Sequence, residues 1–163
     1  MKIKNLIDED FIQYKKPSMF IGFPKCTFKC GAEFCQNSAL AQAPEIDISF
    51  DDIVQRYLNN PITESIVLGG LDPFDTMVEC LTLVAYFRVH YGINDDIIIY
   101  TGYTEDELRN NKGYQVIITS FNNIIIKYGR YVPDEEPHFD EVLGVKLASS
   151  NQYAVKYNET TSK

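Results

Sequence analysis

The sequence predicts an α/β domain whose sheet is mainly parallel. Short apolar runs rich in β-branched residues alternate with amphipathic segments along the 163 residues, and 45% of the residues are hydrophobic. This alternation is typical of parallel strands covered by helices. A closed eight-stranded barrel takes about 250 residues, so this chain has room for about six strand–helix units. We interpret residues 1–163 as a single domain.

The first unit is a strand, a loop and a helix. Residues 19–23 are a short apolar run that ends at Pro24, which predicts a buried strand followed by a loop to about Pro44. Ser49 has the position of a helix N-cap, and the helical spacing of apolar residues continues until Asn60-Pro61.

Two further units repeat this order. Residues 65–68 and 97–100 are predicted strands, and each is followed by a turn that contains glycine. A helix is predicted at 75–91 after the first turn, and another begins at 104–108, where Thr104 and Glu107 have the spacing of a capping box.

The last third of the chain contains more strand-like segments. Residues 116–118 and 124–127 are β-branched runs, and residues 145–147 return to strand character. Residues 129–142 are rich in proline and charge, which indicates a long loop.

Charge and hydropathy exclude two kinds of partner. A net charge of −8 argues against a surface that follows nucleic-acid phosphates. No apolar stretch approaches the roughly 20 residues needed to cross a bilayer, so we expect no membrane partner. The first residues, Met1 to Lys4, are not followed by an apolar run, so we expect a cytoplasmic protein in which disulfides are rare.

The segment PKCTFKCGAEFCQN, residues 24–37, contains three of the four cysteines, Cys26, Cys30 and Cys35. We call it the cysteine loop. Structural zinc needs four closed ligands, so His138 or Cys80 would have to complete the set, although the apolar neighbours of Cys80 favour a buried, inert thiol. An iron–sulfur cluster accepts three thiolates and leaves one iron open to another ligand.

A Gly-Gly turn at residues 69–70 follows the next predicted strand. Loops at the carboxyl ends of parallel strands share one edge of a sheet. We therefore expect this turn to lie beside the cysteine loop, where exposed backbone can approach a small polar ligand.

Four blocks, taken in order, carry a resemblance to a known family. They are the cysteine loop with Phe34 directly before its third cysteine, then VLGGLDPF, IYTGYTEDEL and GVKLASSNQY. The chain resembles the radical S-adenosylmethionine superfamily and, within it, the activating proteins of anaerobic ribonucleoside-triphosphate reductase. The resemblance covers about residues 18–157 and implies an incomplete, laterally open (β/α)6-like barrel.

The resemblance also implies a role for each matching residue. Cys26, Cys30 and Cys35 would hold a 4Fe-4S cluster whose open iron binds the amino and carboxylate groups of S-adenosylmethionine. Phe34 would pack near the adenine. Gly69, Gly70 and Asp72 would lie at the methionine end of that cofactor. The chain departs from the family pattern in three places: four residues between Cys30 and Cys35, an inserted Leu71, and Ala148 before Ser149.

The implied reaction is reductive cleavage of S-adenosylmethionine to a 5'-deoxyadenosyl radical, with an electron from an external flavodoxin- or ferredoxin-like donor. In the resembled enzymes that radical removes hydrogen from a backbone glycine of the large reductase subunit, which becomes a glycyl radical. Two alternatives stay open. One is a radical enzyme that acts on another protein or peptide, and the other is a non-enzymatic iron–sulfur or zinc protein.

Tyrosines near the predicted strand ends are a further expectation. Tyr100, Tyr103 and Tyr114 could border a cavity, but aromatic residues at such positions are more often part of a core.

Overall fold

The computed structural model describes residues 1–27, 31, 35 and 37–160 of the chain. In chain order the strands are β1 (Lys2–Ile3), β2 (Asn5–Asp10), β3 (Ser18–Phe23), β4 (Ile46–Asp47), β5 (Ser65–Gly70), β6 (Asp96–Tyr100), β7 (Ile124–Tyr128), β8 (His138–Asp140), β9 (Val145–Leu147) and β10 (Tyr153–Tyr157). The helices are α1 (Ser38–Gln42), α2 (Phe50–Leu58), α3 (Met77–Ala85), α4 (Glu105–Leu108) and α5 (Lys112–Ser120). A 3₁₀ turn, Pro73–Thr76, precedes α3, and a π-helical turn, Tyr86–His90, follows it.

Six strands of the described chain form the main sheet, in the order β10-β7-β6-β5-β3-β2. The four central strands are parallel, whereas β2 pairs antiparallel with β3 and β10 pairs antiparallel with β7. The predicted α/β class and mainly parallel sheet are therefore confirmed. The sheet is mixed, because its two outer strands return without a helical crossover.

The two faces of the sheet are covered differently. Helices α2, α3 and α5 pack on one face, where their buried side chains join those of the strands in the larger core. The segment 11–17 and the β8–β9 hairpin cover the other face and contribute Tyr14, Leu143 and Leu147 to a second core. Both faces of the parallel strands are thus buried, which explains their near-continuous apolar sequences.

Most predicted elements are confirmed. The runs at 19–23, 65–68, 97–100, 124–127 and 145–147 are all strands. The hydroxyl of Ser49 accepts a hydrogen bond from the amide of Asp52 at 3.0 Å, so Ser49 caps α2 as expected. Thr104 and Glu107 form the predicted capping box at α4.

One predicted strand is wrong, because residues 116–118 lie within helix α5. The side chain of Asn111 accepts a hydrogen bond from the Tyr114 amide at 3.0 Å and caps this helix. Tyr114 and Ile117 then face the core one helical turn apart. The predicted loop at 129–142 also contains β8, and the loop predicted to run to about Pro44 contains α1.

None of the helices in the described part of the chain has both the length and the apolar character that crossing a membrane requires.

Candidate metal centre

A cavity of about 310 Å³ opens at the carboxyl ends of the four parallel strands. Each of these strands contributes lining residues from its carboxyl end or from the loop that follows it. Residues 12–13 and 145–148 also line the cavity. The site is therefore assembled by the topology of the sheet, since loops at this edge meet whatever their separation in sequence.

Two of the three clustered cysteines border this cavity. Cys26 and Cys35 are both half-buried and both line its wall. Cys30 and Phe34 lie outside the described residues. Cys80 is fully buried in α3 within the larger core, and burial raises the pKa of its thiol far above the usual range. Cys80 thus has the inert character that its apolar neighbours indicate.

Main-chain hydrogen bonds join the end of β3 and the start of the cysteine loop to the turn after β5. The amide of Leu71 donates to the carbonyl of Phe23 at 3.3 Å, and the amide of Asp72 donates to the carbonyl of Lys25 at 2.8 Å. The glycine turn and the first cysteine are therefore neighbours, as their order in the sequence led us to expect.

Both glycines belong to β5, where Gly69 pairs with Gly22 and Gly70 pairs with Phe23, and Gly70 also borders the cavity. Gly70 has a φ of 83°, which brings its carbonyl within 2.7 Å of the Asn37 side-chain amide. Only glycine adopts this conformation readily. The conformation turns the chain from β5 towards Asp72 at the cavity wall.

Asp72 is buried at the junction of two loops. Its carboxylate accepts hydrogen bonds from the amide of Phe74 at 3.1 Å, the amide of Gly102 at 2.9 Å and the hydroxyl of Thr101 at 3.0 Å. Burial raises the pKa of Asp72 to about 6, and these hydrogen bonds act in the opposite direction. Asp72 thus holds the loops after β5 and β6 together at the cavity wall.

Lys127 is a lining residue that the sequence pattern did not single out. It is buried, its ammonium donates to the carbonyl of Gly129 at 2.8 Å, and it lies 5.8 Å from the centre of the Tyr100 ring. Burial lowers its pKa to about 8, although the charge of Asp72 favours the protonated form. A single cation at the end of an otherwise apolar strand was the available signal.

Tyr103 and Arg130 form another polar part of the cavity wall. The guanidinium of Arg130 lies 5.4 Å from the centre of the Tyr103 ring and makes two hydrogen bonds of 3.0 Å with Glu107. Of the three tyrosines considered from the sequence, Tyr100 and Tyr103 border the cavity, whereas Tyr114 is buried against Phe74.

The block GVKLASSNQY folds into β9 and a turn that supports the loop after β7. The side-chain carbonyl of Gln152 accepts from the amides of Ala148 at 3.1 Å and Ser149 at 3.2 Å, and its amide nitrogen donates to Gly129 at 3.2 Å. The imidazole of His138, in β8, makes a hydrogen bond of 2.6 Å with the main-chain carbonyl of Gln152.

The donors on the described wall fit iron–sulfur chemistry. Thiolates are the usual protein ligands of iron–sulfur clusters, and both described thiols of the cysteine loop face one cavity. Among the described lining residues there is no histidine, and no group of three His, Cys, Asp or Glu side chains in that part of the chain is placed to hold a metal ion. Cys30, the third expected ligand, is not among the described residues.

Comparison with known proteins identifies the class. The model of the 4Fe-4S single cluster domain family matches residues 18–153, which is most of the chain. The protein belongs to this family and is therefore an iron–sulfur protein by class. Neither the curated proteins nor the solved structures gave a match.

Proposed function

We propose that this protein is a radical S-adenosylmethionine enzyme that generates a glycyl radical on an anaerobic ribonucleotide reductase. The observation that carries the proposal is the meeting of Cys26 and Cys35 with the turn from Gly70 to Asp72 in one cavity, in a chain of the 4Fe-4S single cluster family. Cys26, Cys30 and Cys35 hold the cluster, and three thiolates leave one iron open.

When bound, the cluster supplies the electron that cleaves S-adenosylmethionine into methionine and a 5'-deoxyadenosyl radical. The chain's own residues bind and orient the cofactor. Gly70 turns the chain from β5 into the cavity wall beside the cluster, and the Lys127 ammonium attracts the methionine carboxylate. The cavity volume of about 310 Å³ falls in the range of small-molecule sites.

The charges on the wall support an anionic group in the ligand. The described lining residues include three cations, Lys127, Arg130 and Lys146, and one anion, Asp72. The whole chain carries a net charge of −8, so this concentration of positive charge is local. Glu107 pairs with Arg130, which leaves Lys127 as the buried cation that can meet a carboxylate.

The size of the fold supports a protein substrate. We propose that the mixed six-stranded sheet is a short form of the laterally open (β/α)6-like barrel. Such an opening admits a loop of the large reductase subunit, so that its glycine reaches the radical, whereas a small-molecule enzyme would need the opening covered. A flavodoxin- or ferredoxin-like donor supplies the electron.

Anaerobic reconstitution and product analysis test the proposal. Reduced protein incubated with S-adenosylmethionine should release 5'-deoxyadenosine, and addition of the large reductase subunit should give the doublet spectrum of a glycyl radical. Cys26→Ala and Cys35→Ala should lose cluster iron and product, whereas Cys80→Ala, which changes a thiol outside the cavity, should keep both.

The same assays separate the alternatives. Normal iron content without any 5'-deoxyadenosine would contradict the enzyme and favour an electron carrier. Deoxyadenosine release with no radical on the reductase subunit would favour another protein or peptide as substrate. One zinc ion bound by four side chains would overturn the cluster itself.

A further inference from the structure

The main chain immediately after Cys26 is held by a carboxylate from another element. The amide of Thr27 donates a hydrogen bond of 2.9 Å to one carboxylate oxygen of Asp75. The other carboxylate oxygen accepts a hydrogen bond of 2.5 Å from the hydroxyl of Tyr103. Three segments that follow three different strands therefore meet beside one cysteine.

Asp75 lies in a short turn that is held by hydrogen bonds. It lies in the 3₁₀ turn Pro73–Thr76, which starts with a proline, and its own amide donates to the carbonyl of Asp72 at 3.1 Å. The Asp72 carboxylate in turn accepts from Phe74 and Gly102. The position of the Asp75 carboxylate is thus set by the junction between the loops after β5 and β6.

Tyr103 is fixed by independent contacts. Its amide donates to the hydroxyl of Thr101 at 3.1 Å, and the Arg130 guanidinium lies 5.4 Å from its ring centre. Burial and the hydrogen bond to Asp75 together raise the pKa of Tyr103 to about 12, although a hydrogen bond with Thr27 acts in the opposite direction. Tyr103 is therefore a neutral donor that contacts both Asp75 and the residue after Cys26.

We propose that Asp75 and Tyr103 are positioning residues for Cys26, which fix its main chain and keep the Thr27 amide bonded to protein. The inference rests on the proposed role of Cys26 as a cluster ligand. Hydrogen bonds to ligands from the surrounding residues orient those ligands and tune the metal.

The expected consequence is a low reduction potential. Amide hydrogen bonds to the sulfurs of an iron–sulfur centre raise its potential, as does a loss of nearby negative charge. Asp75 opposes both effects, because it occupies the Thr27 amide and places a carboxylate beside the ligand. A low potential suits a cluster that must reduce a sulfonium.

Reduction potentials of the cluster-loaded protein test this inference. Asp75→Ala removes both the charge and the acceptor, so it should raise the potential most, and Asp75→Asn, which keeps an acceptor, should raise it less. Glu79→Gln removes the same charge one helical turn later, within α3, and should change the potential least. Tyr103→Phe should leave the cluster bound.

Hydrogen exchange gives the second readout. In cluster-loaded Asp75→Ala and Tyr103→Phe proteins, the Thr27 amide should exchange about tenfold faster than in the wild type, because its acceptor is lost or loosened. Unchanged potentials and unchanged Thr27 exchange in variants with normal iron content would overturn this inference. Absence of iron from the wild-type protein would instead overturn the proposed function.

Discussion

Gly70 has a positive φ, in the left-handed region, and other residues lie close to its Cα atom. A Cβ atom added there would lie 2.7 Å from a methyl carbon of Leu40 and 2.8 Å from the Cα of Gly22. Gly92 has a similar conformation, with a φ of 66°, but a Cβ there would meet nothing within 4 Å. An alanine at Gly92 would therefore experience backbone strain alone, whereas an alanine at Gly70 would experience both backbone strain and steric crowding.

We expect Gly70→Ala to lower the free energy of unfolding by about 2–4 kcal/mol, since a left-handed alanine costs roughly 1 kcal/mol and overpacking adds about 1–3 kcal/mol. Gly92→Ala should cost only about 1 kcal/mol. Urea unfolding measures both values. Equal losses in the two variants would contradict the packing of Leu40 and Gly22 against Gly70.

Asp72 makes stability depend on pH in a defined direction. Its native pKa of about 6 lies above the ordinary value of 3.8, so the folded protein holds a proton that the unfolded chain has lost between these values. The unfolding free energy from this group is therefore highest below pH 3.8 and falls as pH rises to about 6.

Two variants test this dependence. Asp72→Asn should remove this fall in unfolding free energy. Thr101→Val deletes a hydrogen bond that lowers the native pKa of Asp72, so the fall should still begin near pH 3.8 but extend to higher pH. Unfolding in urea at a series of pH values gives the profiles, and identical profiles in all three proteins would contradict the role of burial at Asp72.

Lys127 gives a prediction about the cofactor. Lys127→Gln should weaken S-adenosylmethionine binding about tenfold, because a charge-assisted hydrogen bond to the methionine carboxylate is lost. Lys146→Gln removes the same charge from an exposed lining position and should have a smaller effect.

Wild-type affinity for S-adenosylmethionine should also fall above pH 8, where Lys127 loses its proton. Isothermal titration calorimetry measures these affinities, and equal losses in the two variants would contradict the proposed contact.

At the scale of elements, α5 shows why local preference was a poor guide. Val116, Ile117 and Ile118 are β-branched, and such residues favour strands when packing does not decide. Here the cap from Asn111 starts a helix, and the burial of Tyr114 and Ile117 against the sheet outweighs the modest helical cost of branching.

Asn111→Ala should lower the free energy of unfolding by about 1 kcal/mol, the usual value of an N-cap side chain. Asn111→Asp keeps an oxygen that can accept from the Tyr114 amide and should be close to wild type. Urea unfolding distinguishes the two. If Asn111→Asp and Asn111→Ala lose the same stability, the side-chain oxygen acceptor does not stabilise this helix.

The edge strands were less predictable than the central ones. The four parallel strands are buried on both faces and therefore have nearly continuous apolar runs. Strand β2, Asn5–Asp10, is mostly polar, and only Ala154 of the five residues of β10 is buried. Edge strands often carry charge, because it discourages pairing with other chains, and this hides them from a search for apolar runs.

At the scale of the whole molecule, sequence order was enough to bring the cysteine loop and the glycine turn together. Parallel strands place their carboxyl ends at one edge, so the meeting of Cys26 with Gly70 and Asp72 follows from topology. The contacts of Lys127, and those of Asp75 with Thr27 and Tyr103, depend on side-chain geometry across that edge. The spacing of residues along the chain does not predict such contacts.

The open iron is the central claim, and the electron–nuclear double resonance spectrum of the reduced cluster tests it most directly. S-adenosylmethionine labelled with ¹⁵N in its amino group and ¹⁷O in its carboxylate would be added to the anaerobic protein. We expect hyperfine coupling from both labels, because the proposed function has these groups bind the iron left open by Cys26, Cys30 and Cys35. A loaded, reduced cluster without coupling to either label would contradict the claim.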